Sequence, residues 1–357
     1  MEKEKIAVAI APLLAWYREN KRPLPFRADA DPYRVWISEI MLQQTRIETV
    51  IPYYERFLKS FPTVKALAEA EDEVLMKCWE GLGYYSRARN LKKAALKVMT
   101  DFQGVIPDTV EELLTLPGIG AYTAGAIASI AYGRPAPAVD GNVLRVICRL
   151  LADESDVLQA TVRKRISALL EAVYPKEPAD ASDLTQALME LGEVLCTPGE
   201  NPRCAVCPIA EICEACKQNL TKSIPYRAPQ KPRVIEEKTV FLLRCGDKIA
   251  INKRPSSGLL ANMWEFPACP AHLDEKEAKE AVRSMGLTAF RLSRATDAKH
   301  IFSHLEWHMR GYSVECKNEG SSPFLFVTYE ELKDTYALPG AFRSFLRFLE
   351  EEEKKKK

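Results

Sequence analysis

The sequence lacks an excess of charge of either sign and any long apolar run. Its 50 lysines and arginines are matched by 49 aspartates and glutamates. Composition therefore does not indicate a nucleic-acid partner, and any basic surface must be local. No segment reaches the length needed to span a bilayer. We expect no membrane association.

The sequence also lacks a secretory signal. Residues 6–17 are apolar, but acidic residues are mixed with the basic ones before them and no small-residue cleavage site follows. We expect a buried first helix here and a reducing compartment. Five of the ten cysteines fall between Cys196 and Cys216, which in such a compartment favours a metal site over disulfides.

At 357 residues, 47% of them hydrophobic, the chain is long enough for two or three domains with their own cores. Residues 29–135 show helical periodicity, and the proline-rich stretch 221–233 predicts a linker. Beyond the linker the pattern changes to an α/β one, and the tail 351–357 is predicted to be solvated. The predicted strands are 238–243, 248–251, 313–316 and 325–327, and the predicted helix is 274–285.

The helical part is organised around residues 116–145. Pro117 with Gly118 and Gly120 predicts a tight turn before a helix packed by small residues, and its backbone N–H groups would suit a phosphate. An isolated Asp140 follows, where it could also cap a helix. An ordinary helix–helix turn is the alternative, but the whole run resembles the helix-hairpin-helix and Gly/Pro-rich loop with Asp of the DNA glycosylase superfamily.

A single carboxylate stands in the apolar helical run 33–45. If Glu39 is partly buried there, its pKa rises and it can carry a proton at neutral pH. The alternative is a solvent-facing glutamate on an amphipathic helix. The adjacent pair Gln43 and Gln44 favours the functional interpretation, because amides at a helix end can bond base edges and fill a vacated stack.

Residues 79–93 contain a Gly-Leu-Gly turn that we expect to expose Leu82 and Tyr84, side chains able to wedge between bases. The basic residues after it recur at helical spacing and would suit phosphates. The alternative is a core tyrosine followed by a solvated helix face. The basic residues are Arg89, Lys92, Lys93 and Lys97.

Five clustered cysteines indicate a metal site. A zinc ribbon usually has two Cys-x2-Cys pairs separated by a longer loop, and only five residues separate such pairs here. A 4Fe–4S cluster fits the uneven spacing better than zinc. Four of the cysteines form the pattern Cys196-x7-Cys204-x2-Cys207-x5-Cys213, and Cys216 follows.

The C-terminal part contains a Nudix-like sequence and all four histidines. Residues 254–267 resemble the start of a Nudix fold, but the following helix lacks the Arg-Glu and paired glutamates of a Nudix hydrolase. We therefore expect no hydrolysis there. His300, His304 and His308 stand four apart, which on a helix would form a possible metal site. The surrounding alternation predicts strand and loop instead.

The order of these motifs is similar to that of the MutY family of adenine DNA glycosylases, over nearly the whole chain. The resemblance implies an all-α helix-hairpin-helix core with an iron–sulfur domain, then an α/β Nudix-like domain. It implies a monofunctional, monomeric base-excision-repair enzyme of the cytoplasm (the bacterial nucleoid) that removes adenine mispaired with 8-oxoguanine or guanine in duplex DNA. The implied domains are 1–28 with 136–220 around the cluster, 29–135 as a six-helix barrel, 221–233 as the linker, 234–350 for 8-oxoguanine recognition and 351–357 as a charged tail.

The resemblance also implies roles for individual residues. Glu39 matches the general acid and water activator, and Asp140 matches the carboxylate that stabilises the oxocarbenium ion or forms a transient adduct, in the two-carboxylate logic of glycoside hydrolysis. Tyr122 and Asn142 match the residues around them. The implied base- and DNA-binding set is Arg22, Arg27, Leu42, Gln43, Gln44, Thr45, Leu82, Tyr84, Gly118, Gly120, Gln186, Phe302, Ser303 and His304. The implied cluster ligands are Cys196, Cys204, Cys207 and Cys213.

Three features depart from the family pattern. The first cysteine gap is seven residues where the family usually has six, Cys216 is a spare thiol that could replace a ligand, and Phe26 stands where tryptophan is common. Rival functions also remain. An endonuclease III-like glycosylase/lyase would carry a Schiff-base lysine at the position of Tyr122, which cannot be an amine nucleophile. A Nudix nucleotide hydrolase and a non-catalytic iron–sulfur DNA-binding protein are rivals of other classes.

Overall fold

The computed structural model describes residues 1–229 and 232–356. The chain forms two compact units, one of residues 1–69 with 89–230 and one of residues 70–88 with 231–357. Residues 230 and 231 of the predicted linker and residue 357 of the predicted tail lie outside the described residues. Within the described ranges, no helix combines the length and apolarity that a bilayer crossing requires.

The N-terminal two thirds of the chain are helical, as the periodicity of residues 29–135 predicts. Short 3₁₀ turns at Pro25–Arg27, Cys204–Val206 and Ala210–Ile212 and a π turn at Ile127–Ala131 connect the helices. The helices are Glu2–Asn20 (α1), Pro32–Leu42 (α2), Ile47–Ser60 (α3), Val64–Ala68 (α4), Asp72–Trp79 (α5), Ser86–Asp101 (α6), Val110–Leu113 (α7), Ala121–Ala126 (α8), Gly141–Leu151 (α9), Ala160–Glu171 (α10), Pro178–Val194 (α11) and Glu214–Lys217 (α12).

Helix α2 begins and ends where its sequence directs. The Asp31 side chain accepts a hydrogen bond from the backbone N–H of Arg34, and Pro32 occupies the first helical position, where its missing N–H costs nothing. The helix ends at Leu42, so Gln43 and Gln44 stand in the turn beyond it, and Gln44 adopts a left-handed backbone with φ of 57°. The predicted pair of amides at a helix end is confirmed.

The turn between α7 and α8 has the predicted hairpin geometry. Gly118 has a φ of +79°, and a Cβ atom added to it would lie 2.6 Å from the Cβ of Asn90 on α6. Both the backbone angle and the close approach therefore require glycine at this position. Gly120 caps the start of α8 with an extended backbone, and a Cβ there would meet no atom within 4 Å.

The first helix is buried, as predicted. Ile6, Leu13 and Tyr17 on α1 are each no more than 2% exposed, and α1 lies against α11. Ile6 and Leu13 belong to one apolar cluster with residues of α9, α10 and α11, and Cys213 and Ala215 of the cysteine-rich segment join the same cluster. The cysteine-rich segment is therefore anchored to the helices that carry Asp140 and Gln186.

The second unit is built around a mixed sheet. Its long central strand β1 runs parallel to β6, from the pair Val234 and Leu305 to the pair Arg244 and Glu315. The remaining pairings are antiparallel, and the strand order is β3-β2-β1-β6-β5, with β4 beside β1 and β7 beside β2. The strands are Val234–Cys245 (β1), Lys248–Lys253 (β2), Trp264–Glu265 (β3), Ala268–Cys269 (β4), Ala289–Ile301 (β5), Leu305–Cys316 (β6) and Leu325–Thr328 (β7).

Both faces of the sheet are covered by helices, as in an α/β fold. Val240 and Leu242 on one face of β1 pack with the last helix, and Phe241 and Leu243 on the other face pack with α13. All four side chains are fully buried. The helices here are Glu275–Ser284 (α13), Tyr329–Asp334 (α14) and Arg343–Lys356 (α15), with a 3₁₀ turn at Gly340–Phe342.

The described part of the charged tail continues α15 as far as Lys356, with Glu351, Lys354 and Lys355 exposed as predicted. Local charge pairing supports this helix. The ammonium of Lys354 lies 2.8 Å from the carboxylate of Glu350 one turn earlier, and buried Arg244 of β1 lies 2.5 Å from Glu353. A run of glutamates followed by lysines extends a helix because opposite charges face each other at i and i+4.

Candidate active site

A cavity of about 400 Å³ opens in the first unit, between α2, α8, the start of α9 and α11. It collects residues as far apart in the chain as Arg22 and Glu193. Four carboxyl side chains line it, and Glu39 and Asp140 are two of them. Its lining residues are Arg22, Phe26, Arg27, Val35, Ser38, Glu39, Leu42, Gln44, Thr45, Arg46, Ile47, Tyr122, Ile130, Asp140, Asn142, Gln186, Met189, Glu190 and Glu193.

Glu39 is buried, in agreement with the sequence-based hypothesis. Its side chain is 6% exposed, and burial raises its pKa to about 7, assisted by the nearby charge of Asp140 and opposed by a hydrogen bond from Tyr122 and by the charge of Arg27. A carboxyl group with this pKa is still partly protonated at neutral pH. It can therefore donate a proton under conditions in which ordinary glutamates cannot.

Tyr122 holds Glu39 in place. The Tyr122 hydroxyl, on the first turn of α8, donates a hydrogen bond of 2.5 Å to Oε2 of Glu39. Burial, together with the two neighbouring carboxylates, raises the pKa of Tyr122 well above its usual value. The phenol therefore stays neutral and remains a hydrogen-bond donor. It leaves the second oxygen of Glu39 available to the cavity.

Asp140 stands at the N-terminus of α9, where it acts as the predicted helix cap. Its Oδ1 accepts a hydrogen bond of 2.7 Å from the backbone N–H of Val143. Burial raises the pKa of Asp140, while the backbone N–H groups of Val143 and Asn142 and the charge of Arg145 oppose that rise. The cap fixes the carboxylate beside the cavity, and the two roles are compatible.

The start of α9 is held close to α11. A Cβ atom added to Gly192 on α11 would lie 2.6 Å from the Cβ of Asn142, so glycine is needed for this approach. Arg145 joins the two helices, because its Nη2 donates to Oδ1 of Asn142 at 2.7 Å and to the carbonyl of Gly192 at 2.8 Å. Asn142 is thereby oriented at the cavity wall.

A buried ion-pair network forms another wall, and the sequence analysis did not assign it. Glu190 on α11 is 1% exposed and binds Arg22 through two hydrogen bonds, of 2.6 and 2.9 Å, and Arg27 through one of 2.8 Å. Burial alone would raise the pKa of Glu190, but the contacts with Arg22 and Arg27 lower it below its usual value. The only local sign of this network in the sequence was the position of Glu190, one helical turn after Gln186.

Replacing Glu190 with Gln should destabilise the protein and disorder this wall. The change would leave two partly buried guanidinium groups without a countercharge, and we expect a loss of about 2–4 kcal/mol in the free energy of unfolding. Urea denaturation of the variant and of Asp180→Asn measures this loss. Asp180 pairs with Arg18 on the exposed surface, so its removal should cost less than about 1 kcal/mol. Equal effects would contradict a buried network.

The predicted base- and DNA-binding residues of the first unit lie in the cavity, beside it or in the α7–α8 turn. Leu42, Gln44, Thr45 and Gln186 line the cavity beside Glu39. Gln43 stands next to them, where its amide donates to the Thr123 hydroxyl at 3.2 Å. Gly118 and Gly120 lie in the α7–α8 turn described above.

Leu82 and Tyr84, in the loop between α5 and α6, belong to the second unit. Tyr84 is 48% exposed and adopts a left-handed backbone with φ of 48°, as a side chain presented by a tight turn should. The prediction that the turn also exposes Leu82 is wrong, because this side chain is only 6% exposed.

The residues predicted to read 8-oxoguanine form the tip of the β5–β6 hairpin. Ser303 and His304 are exposed, whereas the Phe302 ring packs at 4.9 Å from that of Trp307. His300 belongs to β5 and His308 to β6, so these histidines do not share a helical face. The interpretation as strand and loop is confirmed.

All five clustered cysteines line one narrow apolar cavity between α9, α11 and the segment 196–216. Val146, Leu191, Leu195 and Ile209 supply its apolar walls. Within the described residues, no three His, Cys, Asp or Glu side chains are grouped as ligands of a metal ion. The convergence of five thiols on a water-poor cavity nevertheless suits a group held by several thiolates.

Comparison with known proteins identifies two domain families. Residues 37–172 match the HhH-GPD superfamily of base excision DNA repair proteins, and residues 239–348 match the NUDIX domain. The helical core and the Nudix-like fold of the second domain, both predicted from the sequence, are confirmed. The chain is 34% identical to the adenine DNA glycosylase of Mus musculus, over 95% of this chain and 77% of that protein. It is 35% identical to the adenine DNA glycosylase of Homo sapiens, over 88% of this chain and 68% of that protein.

Solved structures agree with this assignment at the level of the helical core. A thermostable thymine-DNA glycosylase has a TM-score of 0.54 at 26% identity, over 60% of this chain and 98% of that one. A non-covalent complex of endonuclease III with DNA has a TM-score of 0.51 at 24% identity and shows the same fold, over 62% of this chain and 99% of that one. The chain therefore belongs to the family of adenine DNA glycosylases, base-excision-repair enzymes that hydrolyse N-glycosidic bonds of DNA.

Proposed function

We propose that the enzyme, as a monomer, hydrolyses the N-glycosidic bond of an adenine mispaired with 8-oxoguanine or guanine in duplex DNA, without cleaving the strand. The proposal depends on one observation. Buried Glu39 and partly buried Asp140 face one cavity from different helices, and the Tyr122 hydroxyl holds Glu39 at 2.5 Å. A flipped nucleoside placed between them would meet an acid on its base and a carboxylate at its sugar.

Glu39 is the general acid of the proposed reaction. Breaking the glycosidic bond leaves negative charge on the departing base, and a proton delivered to adenine N7 removes that charge. The pKa of about 7 keeps a useful fraction of Glu39 protonated. Once adenine has left, the ionised Glu39 can accept a proton from the water that attacks the sugar. The Tyr122 hydrogen bond orients the carboxyl group through both steps.

Asp140 stabilises the positive charge that develops on the sugar. As the bond to adenine breaks, the sugar acquires oxocarbenium character, and a fixed carboxylate lowers the energy of that state. The backbone N–H groups at the start of α9 favour the ionised form of Asp140. The carboxylate therefore balances the cation directly or through a transient covalent adduct. Asn142 lies beside it at the cavity wall.

The opposite wall of the cavity would bind the adenine. Arg22 and Arg27, held by Glu190, and the amide of Gln186 present hydrogen-bonding groups there. Leu42 and Thr45 line the same cavity. Glu190 offsets one of the two positive charges and fixes both guanidinium groups, so that their remaining N–H groups can contact a base.

The remaining predicted residues would bind the duplex. Backbone N–H groups of the Gly118 and Gly120 turn suit a phosphate, and the amides of Gln43 and Gln44 suit the space left by the flipped base. Exposed Tyr84 can wedge between bases. The exposed tip formed by Ser303 and His304 can read the edge of 8-oxoguanine.

The excision rate should fall as pH rises through about 7. Only protonated Glu39 can donate, so above its pKa of about 7 the rate should drop about tenfold per pH unit. Tyr122→Phe removes a hydrogen bond that lowers the pKa of Glu39, so its alkaline limb should move to higher pH. Single-turnover rates across pH measure both effects. A flat alkaline profile, or a limb that moves downward in Tyr122→Phe, would contradict the assignment of Glu39.

The proposed mismatch is tested with three duplexes that carry 8-oxoguanine, guanine or thymine opposite adenine. We expect single-turnover excision to be fastest opposite 8-oxoguanine and slowest opposite thymine. Ser303→Ala with His304→Ala should reduce the preference for 8-oxoguanine over guanine, while Ser293→Ala in the middle of β5 serves as the matched control. Equal excision from all three duplexes would refute the proposed specificity.

A lyase activity is the nearest rival, and the cavity argues against it. In the described structure its lining includes no lysine, and the position of the lyase nucleophile holds Tyr122, whose hydroxyl is bonded to Glu39. We expect no borohydride-trapped adduct with DNA at an efficiency near that of base excision. Such an adduct would favour the bifunctional enzyme.

The cysteine cavity is proposed to hold a 4Fe–4S cluster. The thiols of Cys196, Cys204, Cys207 and Cys213 would be its ligands, in an apolar surrounding that excludes water. When bound, the cluster would cross-link the segment after α11 and contribute to folding. An iron-containing brown preparation supports the cluster, and a colourless zinc-loaded one would overturn it.

A further inference from the structure

The sulfur atoms around the cysteine cavity differ in what they contact. Arg149 Nη1 donates to Cys196 Sγ at 3.3 Å. The backbone N–H of Ile209 donates to the sulfur of Cys207, and those of Cys216 and Ala215 donate to the sulfur of Cys213. Three sulfurs thus receive N–H donors from the protein.

Such donors are what a metal-bound thiolate requires. An N–H group that points at sulfur stabilises the negative charge of the bound thiolate and fixes its orientation. The N–H groups at Cys196, Cys207 and Cys213 would therefore suit thiolate ligands, although the free Cys213 thiol also donates to the carbonyl oxygen of Arg149 at 3.3 Å. Cys213 is also the most deeply buried of the group, at 9% exposure.

The fourth ligand position differs from these three because two cysteines meet there. The sulfur of Cys204 lies in hydrogen-bonding contact with a second thiol, that of Cys216. Both cysteines are partly exposed, and both line the cavity. Cys204 follows a seven-residue gap and starts a single 3₁₀ turn, whereas Cys216 lies on α12. Two thiols from separate short elements thus meet at one place.

We propose that Cys204 and Cys216 share the fourth ligand position, so that either thiolate can complete the site. The inference rests on the proposed 4Fe–4S cluster. In the exchange, a sulfur–iron bond to one cysteine breaks as the bond to the other forms. The incoming thiol releases its proton and the departing thiolate takes up one, so the charge of the site does not change. The chain thereby tolerates the loss of either cysteine, and the spare thiol stays beside the site.

The experiment compares the iron and acid-labile sulfide content of purified full-length variants. Cys204→Ser and Cys216→Ser should each keep a full complement, whereas the double variant should lose about tenfold or more. Cys207→Ser is the matched control, since Cys216 lies against Cys204 and should not replace Cys207. Alkylation of the native wild type, followed by mass spectrometry, should find label divided between Cys204 and Cys216. This measurement does not depend on how the variants fold.

The outcomes distinguish failure of the proposed 4Fe–4S cluster from failure of the proposed shared ligand position. A wild type that binds zinc instead of iron would overturn the cluster and the shared position together. An iron-loaded wild type whose Cys204→Ser variant is as empty as the double variant would overturn the sharing alone and leave Cys216 as a bystander. The sharing would also be overturned if Cys216→Ser lost its iron while Cys204→Ser kept it. Alkylation of only one of the two thiols would overturn it as well.

Discussion

Replacing Glu39 with Gln should reduce single-turnover adenine excision by about 10²–10⁴-fold, the range that a positioned general acid contributes. The amide keeps the size of the side chain and can still accept a hydrogen bond from Tyr122, but it has no proton to transfer to adenine N7. Binding of a duplex with an uncleavable adenine analogue should change little, since the base-binding wall is untouched. The remaining activity should also lose its alkaline limb.

The same variant should be more stable than the wild type at neutral and alkaline pH. Burial raises the pKa of Glu39 from 4.5 to about 7, so the folded state holds the proton more tightly than the unfolded state does. The wild type therefore loses stability as pH rises from about 4.5 to about 7, by up to about 3 kcal/mol. Glutamine avoids this cost.

Thermal or urea unfolding at pH 5 and pH 8 provides the control. The stability difference between Glu39→Gln and the wild type should be small at the lower pH and large at the higher one. A variant that is inactive and more stable has lost chemistry rather than structure. Excision by Glu39→Gln at the wild-type rate would instead leave a non-catalytic DNA-binding role as the better account.

Replacing Asp140 with Asn should reduce excision by about 10²–10³-fold. The change removes the negative charge beside the developing sugar cation. Asparagine is as good a helix cap as aspartate, so the hydrogen bond to the backbone of Val143 and the start of α9 should persist. Loss of a nearby carboxylate should also lower the pKa of Glu39, since Asp140 raises it, and should move the alkaline limb to lower pH.

Asp140→Ala separates the two roles of this residue. Alanine removes both the charge and the cap, so it should lose about 1 kcal/mol of stability in addition to the activity. Asp140→Asn should lose activity alone. If Asp140→Asn excised adenine at the wild-type rate while Asp140→Ala was destabilised, the residue would be a helix cap and nothing more.

Local patterns drew attention to both acids, and the resemblance to the family supplied their roles. Glu39 is the only carboxylate in an apolar helical run, which was compatible with a buried or a solvent-facing side chain. Asp140 follows a proline-rich loop and precedes a helix, which predicts a cap. The cap depends on a few neighbouring residues, whereas the burial of Glu39 depends on packing against distant elements.

Three features depend on contacts that the local sequence does not contain. Glu190 meets Arg22 and Arg27 across more than 160 positions of chain, and no spacing rule connects residues that far apart. Leu82 was expected to be exposed because the turn is glycine-rich, but an apolar side chain turns inward wherever neighbouring elements can cover it. Glu353 of the tail likewise pairs with Arg244 of a distant strand.

The sequence by itself determined the motifs, their order and the family, because glycine turns, helix caps and cysteine spacings act over a few residues. Only the tertiary structure decided how the acids work. The pKa of Glu39 depends on its burial and on contacts with Tyr122, Asp140 and Arg27 from other elements. The tertiary structure also placed the thiol of Cys216 beside that of Cys204. Solvent exclusion and charge proximity are properties of the packed chain, so they appear only when distant segments meet.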